Sequence, residues 1–140
     1  MSYRLLTNQL YVGPQITEAD IAQAADEGIK TIINVRPDGE KEGAMPAAEA
    51  RGLAEARGIS YHHMPVSPTN ITDEDVAGFA ELLTSVEGPV LTHCGTGMRA
   101  AVLWGLGNAK ALGVEAVVSK AAGAGIDLSR VVPRLQQAAA

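Results

Sequence analysis

The chain contains a single cysteine, Cys94, and the residues around it could turn it into a nucleophile. An apolar run leads into Cys94, and two glycines and Arg99 follow in the order Cys-x-x-Gly-x-Arg. Glycines let a loop turn so that successive backbone N–H groups face inward, and such groups bind anions. The positive end of a following helix adds to this effect, and both favour a thiolate over a thiol. The pattern therefore predicts a loop in which Cys94 attacks an anion that the guanidinium of Arg99 holds.

The residues between Cys94 and Arg99 are expected to bind the substrate through their backbone. His93 precedes the cysteine, but strand alternation points its side chain to the opposite face, so we expect it to orient the site rather than to react. A structural alternative is a small cysteine buried at a strand end, and the surrounding motif makes the catalytic interpretation the stronger one. The predicted substrate-binding residues of the loop are Gly95, Thr96, Gly97 and Met98.

A second loop, residues 36–40, also carries residue types that could take part in the reaction. It follows a strand rich in β-branched residues. Arg36 could reach the anion site or pair with Asp38 or Glu40 at the surface, and the sequence leaves both possibilities open. Asp38 is a candidate proton donor, although Pro-Asp-Gly is equally typical of a turn. Asn34 is a polar residue in a buried strand pattern, so we expect it to bond a neighbouring loop and hold the cysteine loop in place.

The elements that must position these loops alternate between strands and helices. Such alternation predicts an α/β domain with a mainly parallel central sheet, whose ligands bind beyond the carboxyl ends of the strands. Thr17 and Thr72 are expected to cap two of the helices. The predicted strands are 3–6, 9–12, 30–35, 59–64 and 90–92, and the predicted helices are 17–27, 46–57, 72–85, 98–111, 114–122 and 128–137.

Composition limits the function further. The chain has 140 residues, 46% of them hydrophobic, which fits one domain over 1–140. A net charge of −5 argues against nucleic acid or an anionic membrane as the main partner. A lone cysteine without an apolar leader or a long apolar span indicates the cytoplasm. His62 and His63 point to opposite faces of a strand, so we predict neither a metal site nor a cofactor.

Several stretches resemble known families. Cys94 to Arg99, "CGTGMR", looks like the active loop of rhodanese-type sulfurtransferases. The stretches "LYVGPQITEADI", "GIKTIINVRPDGE", "HHMPVSPTNITDEDV" and "THCGTGMRAAVLW" are similar to the phosphatase-like domain of beta-lactamase-hydrolase-like proteins. That bacterial family is also found fused to a persulfide dioxygenase, which the resemblance implies as a partner. The segment "IINVRPDGE" resembles dual-specificity phosphatases. The implied fold is that of the cysteine phosphatases, a mainly parallel sheet flanked by helices.

The length of the loop separates two kinds of chemistry. Cysteine phosphatases carry five residues between the cysteine and the arginine, whereas this chain carries four. Ala100 replaces the usual hydroxyl residue, and the loop 65–70 offers no carboxylate as an acid. These departures favour a sulfurtransferase that moves a sulfane sulfur from thiosulfate or glutathione persulfide, through a Cys94 persulfide, to a thiol or cyanide. The alternative is a cysteine-dependent phosphatase that acts on a phosphate ester through a Cys94 phosphocysteine, with Asp38 as the acid.

Overall fold

The structure of the chain, a computed structural model, describes residues 3–140, and Met1 and Ser2 lie outside them. Five short strands form one sheet, and the helices cover both of its faces. The strands are β1 (Arg4–Thr7), β2 (Leu10–Gly13), β3 (Thr31–Asn34), β4 (Ser60–His63) and β5 (Val90–His93). The helices are α1 (Glu18–Asp26), α2 (Ala47–Glu55), α3 (Asp73–Ser85), α4 (Met98–Leu112), α5 (Val114–Gly123) and α6 (Val132–Ala139).

The order of the strands places β5 at the centre of the sheet. The order is β1-β2-β5-β3-β4, with β1 antiparallel to β2 and every other pair parallel. In this register His93 lies beside Gly13 of β2 and Asn34 of β3. Because parallel strands end at the same edge of a sheet, the loops after β5 and β3 lie next to each other. The predicted α/β class with a mainly parallel sheet is confirmed.

Apolar side chains fill both faces of the sheet, as expected for parallel strands covered by helices. Ile32 and Leu91 point to a cluster shared with α1 and α2, whereas Ile33 and Val90 point to a cluster shared with α3 to α6. Trp104 of α4 is 4% exposed and packs in the second cluster. The cysteine strand is therefore held from both sides, which fixes the start of the loop that follows it.

The ends of the helices follow from local chemistry. Thr17 and Thr72 cap α1 and α3, and each forms a reciprocal capping box with an aspartate three residues on. The segment predicted as one helix over 128–137 is instead a 3₁₀ turn, Ser129–Val131, followed by α6. Pro133 explains the break, because a residue without an N–H fits only the first turn of a helix. Within residues 3–140, no helix has the length and apolar character needed to cross a bilayer.

Candidate active site

Cys94 comes directly after β5, and neighbouring backbone fixes its position. Its N–H donates to the carbonyl of Gly13 at 3.2 Å, while the carbonyl of His93 accepts from Val35 at 3.0 Å. The Cys94 side chain is buried, and its Sγ accepts a hydrogen bond from the N–H of Gly97 at 3.0 Å. An N–H aimed at sulfur stabilises negative charge there, which is what a thiolate nucleophile requires.

Gly97 is required by the shape of this loop. Its φ is +92°, a conformation that residues with a Cβ rarely adopt. A Cβ at this position would also come within 3.4 Å of the carbonyl carbon of Gly13. The loop thus turns sharply against the end of β2 and enters α4 at Met98. The N–H groups of Gly95 and Thr96 donate to no acceptor within residues 3–140, so both are available to an anion.

Arg99 lies in the first turn of α4, and its side chain is only 9% exposed. Its Nη1 donates to the carbonyl of Val66 at 2.9 Å and, more weakly, to that of Val35 at 3.4 Å. Its Nη2 donates to Glu40 Oε1 at 2.8 Å. These contacts orient the guanidinium from one side, and they leave Nε without a partner among the residues that the structure describes. The fork can therefore still bind an oxyanion.

Arg36 is held as firmly as Arg99. Its N–H donates to Asn34 Oδ1 at 2.8 Å, and its carbonyl lies 2.8 Å from His63 Nε2. Its Nε donates to Glu40 Oε1 at 2.9 Å and its Nη1 to Gln15 Oε1 at 3.0 Å. The guanidinium therefore pairs with Glu40, one of the partners left open by the sequence, but it does so nearly buried and not at the surface.

The guanidinium of Arg36 also contacts the cysteine loop. A Cβ added at Gly95 would meet the carbon of that guanidinium at 3.5 Å and its nitrogens at 3.6 and 3.7 Å. Those distances are ordinary van der Waals contacts, so a small side chain at Gly95 would fit beside the guanidinium. A second cation, from another strand end, therefore lies close to the loop that carries Cys94.

Glu40 links the two arginines, a role that the sequence did not reveal. One of its oxygens, Oε1, accepts from Arg99 and from Arg36 at once. The hydrogen bond from Arg99, together with that from Arg36, holds the pKa of Glu40 below its usual value, although partial burial acts against this. Glu40 is thus a carboxylate anion placed between two buried cations, and it sets the separation and orientation of both.

A cleft of about 720 Å³ opens above the cysteine loop. Its walls come from four parts of the chain, namely the loop after β3, the loop after β4, the cysteine loop with α4, and the C-terminal segment with the start of α6. The lining residues are Arg36, Glu40, Lys41, Pro68, Thr69, Ile71, Cys94, Gly95, Thr96, Met98, Arg99, Val102, Asp127, Leu128, Arg130, Val131 and Arg134.

Two predicted roles change in the structure. Asp38 does not line this cleft, because its Oδ1 accepts from the N–H of Ala47 at 2.8 Å and so caps α2. Asn34 does not bond the cysteine loop, because its amide donates to the hydroxyl of Tyr61 at 2.9 Å and its oxygen accepts from Arg36. Asn34 supports the loop after β3 instead. The carboxylates that do line the cleft are Glu40 and Asp127.

His93 lies beneath the loop, fully buried. Burial lowers the pKa of His93 to about 4, so the ring is neutral at pH 7. Within residues 3–140, neither ring nitrogen makes a hydrogen bond of good geometry, although the Cys94 backbone lies near enough to favour the charged form slightly. The charges that act on the ring come from Arg36, His63 and Asp20. His93 is thus placed to support the loop and not to share a proton with Cys94.

The fold and this loop together define a class of protein. A central parallel strand that ends in a nucleophilic cysteine, with a loop leading through an arginine into a helix, is the architecture of the cysteine-based phosphatases. Within that class, residues 2–111 match the family described as the phosphatase-like domain of beta-lactamase hydrolase-like protein. The chain belongs to this family, in agreement with the resemblance seen in the sequence.

Individual relatives agree with this assignment. A beta-lactamase hydrolase-like protein of Agrobacterium fabrum is 38% identical over 104 residues, covering 74% of this chain but only 24% of the relative. The chain thus spans about a quarter of the length of that relative. A solved structure from Neisseria meningitidis, provisionally described as a phosphatase, is 38% identical over 99% of both chains, with a TM-score of 0.93.

A more distant structure shares the fold alone. P. aeruginosa TpbA, solved as a variant in complex with phosphotyrosine, is 17% identical, with a TM-score of 0.69 over 99% of this chain and 90% of that one.

Within residues 3–140, no three His, Cys, Asp or Glu side chains are grouped to hold a metal ion.

Proposed function

We propose that the chain is a cysteine-dependent phosphatase that acts on phosphate esters through a Cys94 phosphocysteine. The observation that carries the proposal is that Cys94 and Arg99 lie in one cleft, within an anion-binding loop on a phosphatase-like fold. The phosphotyrosine complex of TpbA gives a fold relative with a phosphate ester as its ligand. This proposal takes the alternative of the sequence analysis ahead of sulfur transfer.

The reaction has two steps that balance without a cofactor. In the first, the thiolate of Cys94 attacks phosphorus, the bond from phosphorus to the ester oxygen breaks, and the leaving oxygen takes a proton. In the second, the oxygen of a water molecule attacks phosphorus, a carboxylate accepts a proton of that water, the sulfur–phosphorus bond breaks, and inorganic phosphate leaves with the Cys94 thiolate restored. The backbone N–H groups of the loop and the Nε of Arg99 stabilise the charge on the phosphoryl oxygens in both steps.

Asp127 is the carboxylate that we assign to proton transfer. Asp127 and Glu40 both line the cleft, but Glu40 is engaged by two arginines. A hydrogen bond from the backbone N–H of Ser129 lowers the pKa of Asp127. Its protonated form is therefore populated only at acidic pH, and we expect phosphatase activity to be highest there.

The leaving group tests this role of Asp127. An Asp127→Asn variant should lose about 100-fold in kcat for an alkyl phosphate, whose poor leaving group needs a proton, and far less for p-nitrophenyl phosphate. Asp26→Asn, an exposed substitution on α1, is the matched control. Equal losses on both esters would remove Asp127 from proton transfer.

The proposed function itself is tested with the purified chain and an aryl phosphate. We expect release of inorganic phosphate by the wild type and none by Cys94→Ser. A rapid acid quench followed by intact mass measurement should reveal a phosphoryl group on the wild type only. Hydrolysis that survives in Cys94→Ser would overturn the mechanism.

Sulfur transfer is the second candidate, and one observation favours it. The loop holds four residues between Cys94 and Arg99, so the cradle is smaller than a five-residue loop would make. In this reaction the thiolate attacks the sulfane sulfur of thiosulfate, the sulfur–sulfur bond breaks, and sulfite leaves. Incubation with thiosulfate should then add one sulfur atom to the wild type and none to Cys94→Ser, and cyanide should remove it.

One inserted residue separates the two candidates. Lengthening the loop by a glycine between Thr96 and Gly97 should raise phosphate release and depress sulfur transfer if loop length decides the chemistry. The opposite change would contradict that argument. A sulfur donor and a persulfide dioxygenase partner lack support from the relatives above, so both belong only to this second proposal.

A further inference from the structure

The cleft above Cys94 is strongly basic, although the chain as a whole is acidic. Five of the 11 Lys and Arg residues line it, but only two of the 16 Asp and Glu residues do. A cleft lined by one sign of charge concentrates ligands of the opposite sign. A single phosphoryl group at the cysteine loop would be bound by Arg99 and would lie close to Arg36. The remaining cations, Lys41, Arg130 and Arg134, exceed what that group needs.

Two of these cations come from the C-terminal segment, on a different wall from the cysteine loop. Arg130 forms no hydrogen bond or ion pair within residues 3–140, and its positive charge acts on Asp127. Arg134 pairs with Asp73 at 3.2 Å, but that aspartate is fully exposed, so the pair contributes little. The two acids of the cleft offset only part of this charge, since Glu40 is already shared by two arginines.

We propose that the cleft binds a small molecule with a second anionic group besides the one that Cys94 attacks, and that Arg130 and Arg134 hold that second group. This inference rests on the proposed phosphatase function. The volume of about 720 Å³ lies within the range of small-molecule sites. Ile71, Val102 and Val131 also line the cleft, and apolar side chains of this kind suit a carbon framework that joins two phosphates.

Binding is best measured without turnover, in a Cys94→Ser background. The probes are butyl phosphate and a series of alkane-α,ω-bisphosphates with three to six carbons, titrated by calorimetry. Butyl phosphate reports the site at the cysteine loop, and the bisphosphates report the second group. We expect the best bisphosphate to bind about tenfold more tightly or better, because hydrogen bonds to a charged group contribute about 1.5 kcal/mol or more. Added salt should reduce this gain, since both arginines are reached by solvent.

Four variants test which residues account for the gain in affinity of the best bisphosphate over butyl phosphate. Arg130→Gln and Arg134→Gln should each remove a large part of it. Asp73→Asn breaks the same ion pair as Arg134→Gln but keeps the cation, so the gain should persist or grow. Arg57→Gln removes an exposed cation at the end of α2, outside the cleft, and should leave the gain intact.

The outcomes are distinct. Butyl phosphate that binds, with no gain from any bisphosphate, overturns the second group and leaves the proposed function standing. Failure of butyl phosphate to bind at all contradicts the proposed function as well. If Asp73→Asn abolished the gain in bisphosphate affinity as fully as Arg134→Gln, the ion pair would act by supporting the structure. That result would overturn the assignment of the second anionic group to Arg134. A phosphotyrosine peptide with acidic flanks that binds better than every bisphosphate, through the same arginines, would replace the small molecule by a protein substrate.

Discussion

The loops that follow β5 and β3 lie at the same edge of the sheet, yet they are held in different ways. The cysteine loop is fixed by main chain, through Gly13, the N–H of Gly97 and the start of α4. The loop after β3 is fixed by side chains, since Asn34 and Glu40 both bond Arg36. Each strand ends in a buried polar residue, and these residues, His93 and Asn34, lie side by side in register.

Because the two loops are held differently, we expect them to tolerate different changes and to serve different steps. A loop built from main chain keeps its shape when exposed side chains change, but it does not tolerate a change of length or of Gly97. A loop built from side chains can be altered by single substitutions. We therefore expect substitutions after β5 to affect the chemical step, and substitutions after β3 to affect mainly the binding of the anion.

The largest expected effect concerns the two arginines. Arg99→Lys keeps the charge but loses the fork, and it should lower kcat/KM for an aryl phosphate by about 100-fold or more. Arg36→Lys, the matched substitution on the other loop, should lower it by about tenfold, chiefly through KM. Steady-state kinetics measure both. Equal losses in kcat would show that the two loops do not divide the work as described.

A second prediction uses the residue beneath the cysteine loop. The pKa of His93 is about 4 in the folded protein and about 6.5 in the unfolded chain, so the unfolded chain binds the proton more strongly. Stability from this residue is complete above pH 6.5 and is lost as the pH falls towards 4, by about 3 kcal/mol in total. Urea unfolding at several pH values measures it, and His93→Asn should flatten the profile.

His62→Asn serves as the control, because His62 lies on β4, outside the buried site. Carboxylates also titrate near pH 4, so the informative quantity is the difference between the wild type and each variant. A His93→Asn profile as steep as that of the wild type would contradict the prediction.

A third, smaller effect is expected beneath the loop after β3. Asn34→Ala removes two buried hydrogen bonds, to the backbone of Arg36 and to the hydroxyl of Tyr61, and should cost about 2 kcal/mol of unfolding free energy. Tyr61→Phe removes only one of them and should cost less. If both variants lost the same stability, the bond to Arg36 would contribute nothing.

The smallest effect is expected for Glu40. Glu40→Gln keeps an acceptor between the two arginines but removes a negative charge, so inhibition by inorganic phosphate should become about threefold stronger. Glu40→Ala also removes the acceptor, so kcat should fall while the affinity for phosphate still rises. Inhibition constants at low salt measure the gain in phosphate affinity, and kcat distinguishes the two variants. Weaker inhibition in Glu40→Gln would mean that Glu40 assists anion binding instead of opposing it.

The sequence predicted the fold and the nucleophilic loop because their signals are local. Alternating strands and helices, the capping threonines and the spacing of Cys94, Gly97 and Arg99 each depend on neighbours a few residues away. These features appear in the structure at or near the predicted positions, with Pro133 splitting the last helix.

The residues that the sequence missed depend on contacts across the chain. Glu40 reaches Arg99 from 59 residues away, and Asp127 enters the cleft only because the C-terminal segment folds over the cysteine loop. The position of Asp38 outside the cleft has the same cause, since nothing local reveals that it faces Ala47. No pattern of spacing carries such information.

The central position of β5 has a consequence for how the chain folds. Leu91 pairs with Tyr11 and with Ile32, which precede it by 80 and 59 residues. Such distant pairings form slowly, because a long loop must close before each contact stabilises the chain. The cysteine loop can therefore assemble only after the sheet has closed, so a partly folded chain carries an ordinary thiol and no anion cradle. Hydrogen exchange at the Leu91 amide should follow global unfolding, and activity should return during refolding in step with its protection.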